Sequence, residues 1–206
     1  MRLKAASALR HLVTVHTKAD PIFQEILVTV KNTNDDSSVR ETALYALRLV
    51  ISSAGEKMSD PLKKSILTTT TDLLKSTDDN CRIHAAACLG VLCKWLTDEE
   101  LTKVIKDYLV NSEFSSDWIP RHGCSISLRV ALNIVPERIL RGDWPESVTK
   151  TLSALMTSDR VPLVLSGLKG TAYLFKYSID NDKELDNGLV STFARVRKSD
   201  QKVTLY

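Results

Sequence analysis

Apolar residues along the chain return every three, four and seven positions, the period of one face of an α-helix. Ile22, Phe23, Ile26, Leu27 and Val30 form one such stripe. Leu62, Ile66, Leu67, Leu73 and Leu74 form a second, Leu101, Val104, Ile105, Tyr108 and Leu109 a third, and Val148, Leu152, Leu155 and Met156 a fourth. Between these stripes lies another kind of block, in which an arginine is followed by narrow side chains and a leucine. Arg40 precedes Ala43, Ala46 and Leu47; Arg82 precedes Ala85, Cys88 and Leu89; Arg121 precedes Cys124, Ser127 and Leu128; Arg2 precedes Ala5, Ala8 and Leu9. Offsets of three and seven residues share a helix face, with offset six beside it. Small residues there let a neighbouring helix approach, and the leucine fills the seam.

The arginines recur at intervals of roughly 40 residues, the period of stacked helix pairs of the HEAT or armadillo kind. The expected fold is all-α, an α-solenoid of about five HEAT-type helix pairs. Helix boundaries follow from the punctuation. Arg2 to His16 forms an opening helix with Ala5, Leu9, Leu12 and Val13 on its buried side. Asp20-Pro21, Ser59-Asp60-Pro61 and Trp144-Pro145 start helices with proline in the first turn, where its missing N–H costs nothing. Ser37 or Ser38 caps a helix that Gly55 ends. Thr68 to Thr71 is a poor helix-forming run that packing should override. Thr97 and Glu100 form a capping box. Asn111 to Pro120 is a longer connection carrying Phe114 and Trp118. Arg121 to Ile134 is a helix stopped by Pro136. Ser166, Gly167 and Gly170 keep the narrow seam in a helix introduced by Asp159 to Pro162, without the arginine. Residues 1–196 read as one solenoid that begins and stops inside a repeat, hence a segment of a larger array; 197–206 read as a frayed polar tail. The rival expectation is a small stand-alone solenoid that dimerises through its ends.

Composition narrows the classes. Of the 206 residues 43% are hydrophobic, enough for a continuous core, while aromatics at 6% and seven glycines disfavour a sheet protein. A net charge of +3 permits a nucleic-acid contact without arguing for one. Four cysteines without a secreted framework read as reduced thiols in the cytosol. No apolar run approaches the roughly 20 residues of a membrane span.

Candidate chemistry is sparse. Cys81, His84 and Cys88 share a helical face and have the donor types of a zinc site. Cys88, however, occupies the narrow seam held by Ala46 and Ser127 in the sister blocks, so a packed core is the preferred reading, with Cys93 on another side. Asp117, Arg121 and His122 could suggest acid–base work; the simpler reading is a capping aspartate, the repeat arginine and a solvent or inter-repeat histidine. Arg2, Arg40, Arg82 and Arg121 are structural repeat positions. A cation in a first turn opposes the helix dipole, so each needs a compensating carboxylate or carbonyl, expected from the adjacent repeat. Trp95, Trp118 and Trp144 are expected to clamp helices. Lys63, Lys64 and Lys75, and separately Arg195, Arg197 and Lys198, are basic clusters on a solvated face, with ribosomal RNA as the alternative contact. Phosphate-loop, zincin and serine-hydrolase patterns are lacking. No catalytic, cofactor or metal site is expected.

Four blocks carry a more specific resemblance: KAASALRHLVTVHTKADPIF (Lys4 to Phe23), DNCRIHAAACLGVLCKWLTDEEL (Asp79 to Leu101), DWIPRHG (Asp117 to Gly123) and DRVPLVLSGLKG (Asp159 to Gly170). In this order and spacing they resemble the C-terminal region of the giant HEAT-repeat translational activator of general amino acid control. Beyond about Val196 the likeness fades. The resemblance implies a non-catalytic, cytoplasmic scaffold that associates with ribosomes and polysomes. It implies work with an ABC-type ATPase, docking of the RWD domain of the kinase that phosphorylates initiation factor two alpha, and support for that kinase's activation. A generic HEAT or armadillo adaptor, of the transport-receptor or chromosome-condensation type, is the alternative.

Overall fold

The computed structural model describes residues 2–15, 19–32, 36–110, 117–142 and 144–199, with the side chains of Arg2, Leu3, Ala5 and Ser199 outside the description. Phe114 and the 200–206 part of the expected tail lie outside it, as do the side chains of the repeat positions Arg2 and Ala5. Among the described residues the secondary structure is helical throughout, with eleven α-helices and no strand. The HEAT-type all-α class expected from the periodicity is the class adopted. The chain divides into two compact units, Met1–Lys103 and Val104–Tyr206.

In the first unit, α1 (Arg2–Val15), α3 (Ser37–Ala54) and α5 (Asp79–Leu92) lie side by side, with α3 central. α2 (Asp20–Lys31) and α4 (Asp60–Leu73) pack against them as a second layer. The core between the layers is built from Phe23, Leu27, Leu44, Leu47, Ile51, Ile66, Leu89 and Leu92, all buried. Full burial of each such side chain contributes about 1.5–3 kcal/mol. The small positions Ala43, Ala46, Ala85 and Cys88 are buried too. Their narrowness is used where α3 and α5 meet: the Cys88 thiol donates to the Leu44 carbonyl at 3.2 Å.

Several local expectations change. Asp36, not Ser37 or Ser38, caps α3, its carboxylate accepting from Ser38 N at 3.1 Å. A carboxylate is the stronger acceptor for an exposed first-turn N–H. In α1, Val13 is buried as expected, but Leu12 is 50% exposed and Leu9 half-buried. The buried stripe of this helix runs through Ala6 and Val13, seven positions apart, which turns Leu12 and Val15 outward. The threonine run stays helical inside α4. Thr69, Thr70 and Thr71 are buried, and each hydroxyl of Thr68 to Thr71 donates to the carbonyl four residues earlier. That bonding supplies the partner a buried hydroxyl requires. The Thr97–Glu100 capping box forms with both bonds: Thr97 N donates to Glu100 Oε2 at 3.0 Å, and Glu100 N to Thr97 Oγ1 at 3.2 Å. It opens α6 (Asp98–Val104).

The second unit begins with a π-helical turn, Ile105–Leu109. α7 (Trp118–Ile134) packs along α10 (Val161–Asp180), and α9 (Trp144–Met156) and α11 (Asn187–Ser199) form the layer beside them. α7 starts earlier than its arginine, because Asp117 caps it at Ile119 N with a 3.0 Å bond. Pro136 does not simply stop the chain: it opens a single turn, α8 (Pro136–Ile139), that buries Ile139. α10 lies close on α9. A Cβ on Gly167 would stand 2.9 Å from Leu155 Cβ and 3.0 Å from Met156 N. A Cβ on Gly170 would meet Leu152 Cδ2 at 2.8 Å.

Candidate interaction surfaces

Arg40, Arg82 and Arg121 stand at the N-terminal ends of α3, α5 and α7, next to the segments that lead into them. The Arg40 guanidinium donates to the Asn32 carbonyl at 2.8 Å. Arg82 donates to the Ser76 carbonyl at 2.6 Å and pairs with Asp79. For Arg40 and Arg82 the compensating carbonyls and carboxylate thus come from the arginine's own hairpin, while Arg40 also reaches the Cys81 side chain on α5. The reason is reach: a side chain tilted towards the helix N-terminus covers the preceding turn. Arg82 is wholly buried, which is uncommon for a cation and requires that its donors be used. Arg40 Nε and Arg121 Nε are buried without a hydrogen-bond partner.

On α3 and α5 the sequence reading missed a connected group. Glu41 accepts from Asn80 Nδ2 at 3.2 Å and stands 3.4 Å from His84 Nε2. The His84 ring meets the Tyr45 ring edge-on at 6.0 Å, and the Arg48 guanidinium lies 5.1 Å from the centre of the Tyr45 ring. Burial lowers the pKa of His84 below its ordinary value; Glu41 opposes that shift and Arg48 adds to it. In the second unit, Arg129 occupies the matching register and its pKa is lowered by burial, against a raising effect of Tyr173. A signal for both existed. Arg48 follows Arg40, and Arg129 follows Arg121, by the same two-turn offset of eight (48 − 40 and 129 − 121).

The cysteines are core residues. All four are buried and free of disulfides. Burial raises the thiol of Cys88 to about 12 and raises that of Cys81 as well. His84 turns to Glu41 on the neighbouring helix rather than to the two sulfurs on its own. His122 is buried, with its ring 6.0 Å from that of Trp118, so of the two readings, solvent or inter-repeat contact, the solvent-facing one does not hold. The Arg160 guanidinium lies 5.8 Å from the Trp118 ring, which ties α10 to the start of α7. Trp95 clamps as expected: its Nε1 donates to the Ile51 carbonyl at 2.9 Å and its ring covers Gly55.

The basic clusters are unequal. Lys63 is 3.2 Å from Asp60, and its side chain is largely covered. Arg195, Arg197 and Lys198 are exposed along the last turns of α11. Between α2 and α4 a groove of about 410 Å³ is floored by Leu27, Val28 and Leu62 and edged by Lys31. Among the described residues no group of three or more metal-binding side chains comes together, and no helix is long and apolar enough to cross a membrane.

Layered helix pairs with polar side chains spread over their outer surfaces define the chain as a helical-repeat protein. The family model described as "Stalled ribosome sensor GCN1-like, HEAT repeats" matches residues 20–203, and the chain belongs to that family. It is 39% identical to the stalled ribosome sensor GCN1 of Mus musculus over 180 residues, 87% of this chain, and to the same protein of Homo sapiens to the same extent. It is 27% identical to the eIF-2-alpha kinase activator GCN1 of Saccharomyces cerevisiae over 172 residues, 83% of this chain. The chain spans about 7% of the length of the mammalian relatives and 6% of the yeast protein.

Proposed function

We propose that the chain is a scaffold segment of a stalled-ribosome sensor: it contributes ribosome-binding surface and performs no chemistry of its own. The observation that carries this reading is the family match across residues 20–203, on a fold whose buried groups serve packing. We read residues 1–196 as part of a larger helical-repeat array working in the cytoplasm, on ribosomes and polysomes. In that setting it supports activation of the initiation factor two alpha kinase during amino-acid starvation or stalling, together with the kinase's RWD domain and an ABC-type ATPase. The repeat arginines Arg2, Arg40, Arg82 and Arg121 set the geometry of the hairpins rather than recognise partners.

Co-sedimentation of the chain with purified ribosomes, with and without induced collisions, tests the first part; ribosomes that leave the chain in the supernatant in both states overturn it. Pull-down of the RWD domain tests the second. If α11 contacts ribosomal RNA, Arg195, Arg197 and Lys198 are the groups to do it. Affinity should then fall with salt, and charge neutralisation at the three positions should reduce the log–log salt slope by about 2–3. An unchanged slope removes RNA contact from α11.

A further inference from the structure

The second unit holds a cavity of about 340 Å³ walled by α9, α10 and the start of α11. Its floor is apolar, formed by Leu140, Leu174, Phe175 and Leu189. Glu146, Glu184 and Asp186 line it as well, against a single cation, Lys183. That cation is already engaged: Lys183 Nζ donates to Tyr177 Oη at 3.2 Å and lies 4.9 Å from the centre of the same ring. Asp186 is partly engaged, since Oδ1 accepts from Leu189 N at the start of α11. Glu146 and Glu184 are exposed and make no ion pair among the described residues.

Ser178 adds an independent pointer. It is 6% exposed and lines the cavity, and among the described residues its hydroxyl has no hydrogen-bond partner. Some helical serines donate back to their own helix, as Ser53 does to Leu49, Ser127 to Gly123 and Ser191 to Asn187. Ser178 lines the cavity, where its hydroxyl is within reach of an incoming donor.

We propose that this cavity docks a basic peptide segment of a protein partner, one arginine side chain entering it. The aliphatic stem of arginine suits the leucine and phenylalanine floor, as long cationic side chains cover apolar surface while keeping the head polar. The guanidinium has five donors and no acceptor, which complements Glu146, Glu184 and the Ser178 oxygen. The cavity volume falls within the range of sites that bury one such group. Nucleic acid is disfavoured, because its phosphates would face three carboxylates. The proposal stands independently of ribosome binding.

The test is fluorescence anisotropy of the full chain with a short fluorescein-labelled peptide of alternating arginine and leucine. A matched peptide with citrulline for arginine keeps size and removes charge. The arginine peptide should bind and the citrulline peptide should bind several-fold more weakly. Glu146→Gln combined with Glu184→Gln, both exposed positions, should weaken the arginine peptide about three- to tenfold, with the thermal midpoint unchanged. Ser178→Ala should weaken it further. Hydrogen exchange should show protection in α9, the end of α10 and the start of α11. Equal affinity for the double variant, equal affinity for the citrulline peptide, protection confined to other helices, or protection of these helices by a single-stranded RNA would each overturn the assignment.

Discussion

At Gly55 the Trp95 indole occupies the place a side chain would take: an added Cβ would stand 2.3 Å from ring atoms. The backbone there is ordinary right-handed helix at φ −61°, so the glycine answers to packing and not to a left-handed turn. Gly55→Ala should therefore cost about 1–3 kcal/mol despite the better helix propensity of alanine. Urea denaturation measures this. In a Trp95→Leu background the cost should shrink, which a double-mutant cycle resolves. Arg82 gives a second case. Arg82→Ala removes a fully buried side chain and its bonds to Ser76 and Asp79, and should cost about 2–4 kcal/mol. Arg82→Met keeps most of the volume and should cost less than half as much. Equal losses in urea titrations would show that the hydrogen bonds, not the volume, dominate.

Among the elements, the α3–α5 pair has a built-in pH response. His84 is half-buried between Glu41, Tyr45 and Arg48, and its pKa lies below the ordinary 6.5. A base depressed in the folded state leaves stability intact above 6.5. Stability is then lost as pH falls from 6.5 through the folded value, because the unfolded chain takes up the proton more readily. The unfolding midpoint should drop more between pH 7 and pH 5 in the wild type than in His84→Gln; parallel curves would assign the response to other groups. The α9–α10 pair is governed by approach distance. Gly167→Ala should lower stability by about 1–2 kcal/mol, since the backbone nitrogen of Met156 is among the atoms it would meet. Thermal denaturation checks it.

These elements also show what sequence could reveal. The helix period placed the stripes of α2 and α9 and the seam positions Ala43, Ala85 and Cys124, because one repeating burial pattern constrains many residues at once. Proline at N1 and the Thr97–Glu100 box marked starts because their chemistry is local. What escaped depended on partners distant in sequence. Glu41 and His84 meet across two helices, and the role of Gly55 is set by a ring forty positions away (95 − 55). The face of α1 was misjudged because its apolar residues do not settle one stripe. The cavity beside Ser178 escaped too, since its walls are drawn from stretches of chain well apart in sequence.

At the scale of the molecule, each unit is a two-layer packing of helices whose interior is nearly all aliphatic and whose chemistry-bearing groups are few. Its four thiols follow from that economy. All are sealed inside the packing, and the one on Cys88 holds its proton to about 12. Only a thiolate attacks an alkylating reagent. In the native state iodoacetamide should therefore modify these sulfurs no faster than the surrounding helices open. Cys81, Cys88 and Cys93 sit in one unit and Cys124 in the other. Site-resolved mass spectrometry of the modified chain would read two opening rates from a single sample, one for each half. Similar modification of all four within the mixing time would show that the interior is not sealed.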